Sequence, residues 1–365
     1  MARLRVGPAS GIFDGRVRVK KARTRRECAD WLADLKRKVA GGVDVNDTSP
    51  VAEYLEHWLS VARGGLRHNT WVAYRQSVRN HINPFVGDVR LADLRPDHVQ
   101  RLYSDRLAAG VGACAVRQSH AVLHRALGQA VRWRLVVRNV ASLVEKPALP
   151  RSVARALSTA EVHGLLLAAR GERLEGLYYV AIVTGMRIGE LLGLRWSDVD
   201  WERQGVSVSR QVTQVSGEGL VFGPVKSAAG NRLVALGGDG LDALRDQRAR
   251  VDSWRGFAGE RWVEHDLIFP NFLGKPLDGR QVRVEFRAVC ERAGLAPVRF
   301  HDLRHTSASL MLRAPVPARV VSERLGHSDV GITLNVFSHV VEEMQSEAAA
   351  AIESAVRPIS IELPR

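Results

Sequence analysis

The sequence predicts a mainly α-helical chain with small β-sheets, divided into three parts. Apolar residues recur at helical spacing over most of residues 51–145, with few strand signals. Alternating patterns are confined to short stretches near residues 16–20, 206–215 and 220–236. A basic stretch with two prolines, residues 146–156, separates two halves of different charge. The division this predicts is a small α/β unit at 1–48, a helical domain at 49–147 and a linker at 148–156. A mixed α+β domain follows at 157–345, then a tail helix and end at 346–365.

In order along the chain, residues 16–26 hold seven basic residues and no acid: Arg16, Arg18, Lys20, Lys21, Arg23, Arg25 and Arg26. Their start alternates with Val, as a half-buried strand does. A helix is expected from Glu27 to Val39, with Trp31, Leu32 and Leu35 on one face, ended by Gly41-Gly42. Ser49-Pro50 reads as N-cap and first residue of the next helix. The pattern over Thr70–Ile82 predicts a helix with Arg75 and Arg79 on one face, ended by Asn83-Pro84 and the Gly87-Asp88 turn. Further helices are expected near 97–109 and 113–134, the latter carrying Arg117, Arg125, Arg132 and Arg134. Ser158 with Glu161 three residues on forms a capping box, so a new domain opens there. Residues 206–215 read as one strand, and 220–236 as two more around Ala228–Asn231. Helices then dominate to about residue 356, including a tail over Val340–Val356 with Met344, Ala348, Ile352 and Val356 at helical spacing.

Composition narrows the function. With 45% hydrophobic and 25% charged residues over 365 positions, the chain can bury two or three cores. Disordered, collagen-like and disulfide-stapled classes are excluded. No apolar run approaches the roughly 18 residues of a membrane span. The start, Met1-Ala2-Arg3-Leu4-Arg5, lacks an apolar signal core, and the three cysteines (Cys28, Cys114, Cys290) are odd in number and far apart. A reducing cytosol is therefore the expected setting.

The net charge is +14, of which +13 lies in the first 150 residues. A genome-wide arginine bias would spread the excess evenly. The N-terminal part thus reads as an electrostatic grip on a polyanion, with nucleic acid the expected partner. The basic residues singled out for that contact are the seven of the 16–26 run together with Arg75, Arg79, Arg117 and Arg125.

The near-neutral C-terminal part carries polar groups that a helical core does not require. Arg187 and Glu190 lie three apart in Thr184-Gly185-Met186-Arg187-Ile188-Gly189-Glu190-Leu191, on one face of an otherwise apolar helix, either as a surface pair or as a buried site. Lys226 sits on the expected hairpin. His301-Asp302-Leu303-Arg304-His305 sets His301 beside Arg304, and Leu325-Gly326-His327-Ser328 adds a histidine at a turn. The His301–His305 spacing hints at metal, but no zincin-type Glu follows and no Cys cluster is near, so neither metal nor cofactor is expected. Two arginines, a lysine and two histidines suit a phosphodiester held without metal. Guanidinium forks neutralise non-bridging oxygens, lysine protonates a leaving oxygen, and histidine exchanges protons or donates a hydrogen bond.

These motifs, in this order, resemble the tyrosine recombinases of the phage-integrase type, and the resemblance covers essentially the whole chain. It implies an arm-binding domain at 1–48, a helical SAM-like core-binding domain and a mixed α+β catalytic domain. It implies that Arg187 and Arg304 clamp the scissile phosphate, with Lys226 as general acid for the leaving 5′ oxygen. His301 would assist proton transfer, His327 would hold the phosphate and Glu190 would be the supporting carboxylate. The implied partners are double-stranded DNA at core and arm sites and a homotetramer assembled on DNA through the tail helix. An accessory directionality or DNA-bending factor is a further candidate, and no membrane is involved. The implied setting is bacterial or phage-derived, cytoplasmic and associated with the nucleoid.

One position departs from the family. Where the nucleophilic tyrosine belongs, after the Leu-Gly-His motif and ahead of a Ser-His pair, stands Phe337. The five tyrosines are Tyr54, Tyr74, Tyr103, Tyr178 and Tyr179. A phenyl ring has no hydroxyl and cannot form a phosphotyrosine, so the chain is expected to bind and assemble without cleaving. Phe337 is either a deliberate replacement that traps uncleaved DNA or a natural loss; an otherwise complete residue set favours the former. The alternatives are a non-catalytic DNA-binding or architectural protein on the same fold, and a type IB topoisomerase, which needs no separate arm domain. A helix-turn-helix repressor has no need of Arg187, Lys226 and His301.

Overall fold

The computed structural model describes residues 2–5, 17–20, 24–40, 49–149, 155–295, 297–314 and 316–331. Arg16, Lys21, Arg23, Phe337 and the tail expected over 340–356 lie outside them. The chain divides into two compact units, Met1–Arg151 and Ser152–Arg365.

In the first unit, β1 (Ala2–Arg5) pairs antiparallel with β2 (Val17–Lys20), Ala2 opposite Lys20. Helix α1 (Arg25–Ala40) begins two residues before the expected Glu27, because the Thr24 hydroxyl accepts the Glu27 amide at 3.1 Å and caps it. Helix α2 (Val51–Ala62) has Pro50 as N-cap, one residue later than the sequence pattern suggests, because Pro50 is held in a bridge to Arg90. Helix α3 (His68–Ser77) passes into a π-helical turn, Val78–Ile82, and then α4 (Asn83–Val86). Asn83-Pro84 therefore does not end the helix, contrary to the sequence expectation. Pro84 removes one donor and its ring crowds the preceding turn. The ladder widens there, the Asn83 amide bonding the Val78 carbonyl, and the helix runs on to Gly87. Helices α5 (Pro96–Ala108) and α6 (Ala113–Arg132) complete a bundle whose core holds Leu55, Leu59, Ile82, Leu102, Leu123 and Leu127. Each such buried side chain contributes roughly 1.5–3 kcal/mol of transfer free energy.

The second unit opens with α7 (Thr159–Ala168) on the expected capping box, Ser158 Oγ accepting the Glu161 amide at 3.2 Å and Glu161 accepting the Ser158 amide at 2.8 Å. Next come α8 (Glu175–Thr184), α9 (Ile188–Leu192), β3 (Val199–Asp200), β4 (Gly205–Val208), β5 (Arg210–Val215), β6 (Gly219–Pro224) and β7 (Arg232–Ala235). Four helices follow: α10 (Gly238–Ala258), α11 (Gly279–Arg292), α12 (Asp302–Arg313) and α13 (Ala318–Leu325). The one strand expected over 206–215 breaks at Ser209 into two sheets, β3-β4-β7 and β5-β6. At the break the inward parity of Val206 and Val208 passes to Arg210, which pairs with Asp198 at 3.4 Å. The hairpin expected around 228–231 does not form either, since β6 pairs with β5 and β7 with β4. Lys226 lies instead on the link between the two sheets. Among the described residues no helix is long and apolar enough to cross a membrane.

Candidate active site

The site is built at three chain turns of the second unit. The first follows α8. Gly185 ends that helix in the left-handed region, φ +63°, where a side chain costs strain. A Cβ there would also collide with Leu325 and press on Ser307 of α12. The next turn places Arg187 as N-cap of α9, not inside a helix as its sequence spacing suggests. Its amide donates to Glu190 Oε2 at 3.1 Å and its guanidinium to Glu190 Oε1 at 2.7 Å. The Glu190 side chain is 1% exposed, that of Arg187 30%, so the carboxylate is structural and the arginine faces outward.

Helix α12 supplies the second element. His301 is its N-cap residue and remains exposed, Arg304 is buried and His305 is half-buried. The His301 and His305 rings meet edge to face at 5.0 Å. Arg304 Nη1 donates to the Gly185 carbonyl at 2.8 Å, whereas Nη2 is buried with no hydrogen-bond partner among the described residues.

The third is the end of α13. Gly326, φ +70°, closes the helix and sets His327 beside the arginines. Arg187 Nη2 donates to the Gly326 carbonyl at 3.2 Å. A Cβ on Gly326 would meet the Ala229 carbonyl and Arg232, both at 2.9 Å. The loop carrying the exposed Lys226 thus packs, through its turn at 228–230, against the His327 turn.

Arg232 is a member of this cluster that the sequence analysis does not single out. From β7 it donates to Glu190 Oε2 at 3.0 Å, to the Arg324 carbonyl at 2.7 Å and to the Gly230 carbonyl at 2.9 Å. A signal is present. In β7 the buried face carries Arg232 and Val234 while Leu233 points outward, so an arginine stands where alternation calls for an apolar residue.

The electrostatics are one-sided. Arg187 and Arg232 both bond the single carboxylate of Glu190, and Arg304 lies near enough to feel its charge. Burial alone raises the Glu190 pKa, but Arg232 and Arg187 outweigh it and hold the carboxyl below its usual range. Burial, then the charge of Arg187, brings Arg304 down to about 9, still cationic at neutral pH. Burial and the charges of Arg304 and Arg187 hold His327 down to about 4. His301 is lowered by the same two kinds of cause, loss of hydration on its packed side and the neighbouring His305 and Arg304 charges. An excess of buried positive charge around an unsatisfied guanidinium nitrogen is a receptor for an oxyanion. Among the described residues no group of three or more His, Cys, Asp or Glu gathers in a metal-holding arrangement.

The basic residues singled out in the first unit are placed unevenly. Arg18 and Lys20 lie in β2, and Arg25 and Arg26 are exposed in the first turn of α1. Arg75 and Arg79 do not act as a pair, because the π turn begins between them. Arg75 lies over Trp71 at 5.4 Å, whereas Arg79 is held by Glu56 at 3.2 Å. Arg63 covers Trp71 as well, at 5.1 Å. Arg125 donates to the Tyr74 hydroxyl at 3.4 Å and Arg117 to the Pro147 carbonyl at 3.5 Å. The aromatic supports Trp71 and Tyr74 are absent from the sequence expectation; their positions beside Arg75 are the available cue.

The chain is 26% identical over 352 residues to a XerC-like tyrosine recombinase of Caldanaerobacter subterraneus, covering 91% of this chain and 89% of that protein. It is 25% identical to an integrase of Saccharopolyspora erythraea, covering 90% and 88%. In fold it is similar to the Tn1549 transposon integrase, with a TM-score of 0.68 at 18% identity, covering 82% of this chain and 99% of that one. A lambda integrase tetramer bound to a Holliday junction gives 0.59 at 18%, covering 88% and 89%. Residues 51–107 match the phage integrase N-terminal SAM-like domain. Residues 155–344, more than half of the chain, match the phage integrase family, and the protein belongs to that family.

Proposed function

We propose that this protein is a site-specific DNA recombinase of the integrase type, whose second unit grips a scissile phosphodiester and whose first unit supplies most of the grip on the duplex. The observation that carries the reading is the unpartnered, buried Nη2 of Arg304 beside two arginines, Arg187 and Arg232, that share one carboxylate. In this reading Arg187 and Arg304 bind the non-bridging oxygens, His327 adds a donor, and His301 exchanges a proton with the attacking group. Lys226 gives a proton to the 5′ oxygen as the phosphorus–oxygen bond breaks. Glu190 holds Arg187 in place. The nucleophile such a site needs is a tyrosine hydroxyl at position 337, where this chain carries Phe; that hydroxyl would form the 3′-phosphotyrosine bond, release the 5′ oxygen and lead through a Holliday junction to exchanged strands. No metal or other cofactor is required, because the arginines carry the charge stabilisation.

Phe337 has no such hydroxyl, and no tyrosine follows Tyr179. The chain as it stands therefore binds without cleaving. One structural relative, the Tn1549 transposon integrase, is itself known as a tyrosine-to-phenylalanine variant in complex with transposon right end DNA. The proposed division of labour is an arm-type contact at 1–48 through Arg16, Arg18, Lys20, Lys21, Arg23, Arg25 and Arg26. A core contact at 49–147 uses Arg75, Arg79, Arg117 and Arg125, and catalytic residues lie within 157–345. The tail at 346–365 joins subunits of a tetramer. Phe337 also favours a second reading, a non-catalytic DNA-binding protein on the same fold.

The two readings separate in a covalent-adduct assay. The protein and its Phe337→Tyr variant are incubated with DNA flanking the native gene and then denatured. Adduct from the variant alone supports the recombinase. Absence of adduct from both, with DNA still bound at low salt, supports the binding protein.

A further inference from the structure

We propose that Arg232 is a positioning residue for the phosphate site, a buried link that sets Arg187, the His327 turn and the Lys226 loop in one arrangement. The inference rests on the reading of that site as a phosphate clamp. Its basis is geometric. The Arg232 side chain is 7% exposed, beside Glu190 at 1%. Its three nitrogens point three ways. Nη2 reaches Glu190 Oε2 at 3.0 Å, Nε reaches the Arg324 carbonyl at 2.7 Å, and Nη1 reaches the Gly230 carbonyl at 2.9 Å. Each acceptor belongs to a different part of the site. Glu190 orients Arg187 through a second bond at 2.7 Å. Arg324 is two residues before Gly326, whose carbonyl accepts from Arg187 and whose left-handed turn presents His327. Gly230 closes the turn of the loop that carries Lys226.

A rigid planar fork with donors on all sides is suited to holding three acceptors at fixed angles; a lysine ammonium is not. Each of the three nitrogens of Arg232 already donates to a protein acceptor, and its side chain is 7% exposed. It therefore acts on phosphate through Glu190 and the two turns, not by touch. The charges facing Glu190 are Arg187 at the start of α9, Arg232 on β7 and Arg304 on α12. Of these, Arg232 does most to keep Glu190 ionised. Without it, the carboxyl must take up a proton at higher pH and release Arg187.

The test uses inorganic phosphate as probe, at constant ionic strength, with the full chain labelled in its histidine rings. Binding is followed through the His327 and His301 resonances across pH. Phosphate is expected to bind the unsubstituted chain, and Arg232→Gln to weaken it by about tenfold or more, the loss of one charge-assisted bond. The acid limb of binding should also move to higher pH in Arg232→Gln. Arg232→Lys, which keeps the charge, should restore the position of that limb while recovering only part of the affinity. A purely structural residue would not move the limb.

If Arg232→Gln binds phosphate with unchanged affinity and pH profile, the proposal is wrong and the clamp reading survives. If phosphate perturbs neither ring in the unsubstituted chain, the clamp reading fails and takes this proposal with it. Should Arg232→Gln not fold, Arg232→Lys decides alone: affinity equal to the unsubstituted chain overturns the proposal.

Discussion

Arg304 and Gly185 are joined across 119 residues by a 2.8 Å hydrogen bond from Nη1 to the glycine carbonyl, which leaves the other terminal nitrogen, Nη2, buried and without a partner among the described residues. One guanidinium thus does two things: it anchors to backbone and offers a donor. A lysine ammonium gathers its donors at one point and cannot span the two places that Nη1 and Nη2 occupy. Arg304→Lys, placed in a chain that also carries Phe337→Tyr, is expected to lower the rate of adduct formation by roughly 10²–10³-fold, the usual loss on removing one donor to a developing charge. DNA affinity should change little, because most of the net charge lies in the other unit. Comparable losses in rate and in affinity would mean that Arg304 contributes to general DNA attraction and not to phosphate alignment.

The two glycine turns carry a stability prediction. Gly326 combines φ +70° with close approach of the Ala229 carbonyl. Gly326→Ala should cost about 1–3 kcal/mol in urea unfolding and weaken phosphate binding, because the Arg187 contact to its carbonyl shifts. Gly164 is the contrast. It lies inside α7, and a Cβ added there would meet nothing within 4 Å, so Gly164→Ala should stabilise by about 0.5–1 kcal/mol. Equal effects at the two sites would show that the turn geometry is not under constraint.

The elements whose signal is local are legible in the sequence. The Ser158–Glu161 capping box and the alternation of β2 follow from spacing of a few residues. What stays hidden depends on non-local pairing. Nothing within 206–215 says that β4 takes β7 as its neighbour while β5 takes β6, so the sequence suggests a hairpin around Lys226 that does not form. Arg187 reads as a helix-face residue because its spacing to Glu190 fits both a helical turn and an N-cap. Only the extended backbone of Arg187 decides between them. Arg232 escapes notice since its meaning lies in Glu190 and Arg324, 42 and 92 residues away. Pro84 reads as a stop although helices tolerate it where a π turn absorbs the lost donor.

Charge in the first unit predicts a salt response. Arg75 and Arg125 rest on Trp71 and Tyr74, whereas Arg79 is already engaged by the Glu56 carboxylate. Arg75→Ala and Arg125→Ala should each weaken DNA binding uniformly across sequences and lower the slope of log K against log salt by about 1. Arg79→Ala should do less, since its charge is partly offset. Fluorescence anisotropy on mixed-sequence duplexes over a salt series reads this directly. A larger effect at Arg79 than at Arg125 would reverse the proposed order.

The depressed histidines predict a pH response whose direction is fixed by linkage. His327 titrates at about 4 in the folded chain against 6.5 for a free imidazole, through burial and then the charges of Arg304 and Arg187. Between those values the unfolded chain holds a proton that the folded chain does not. Stability is therefore greatest above pH 6.5 and falls as pH drops towards 4, by at most about 3 kcal/mol from this ring. His327→Gln should flatten part of that fall in urea unfolding measured at pH 7.5, 6 and 5. A bound phosphate supplies the missing negative charge and raises the pKa of His327. Phosphate should accordingly stabilise the protein more at pH 5.5 than at pH 7.5, with uptake of a proton on binding that calorimetry in two buffers of different ionisation heat will detect. A phosphate effect that is constant across this range would show that His327 does not face the anion.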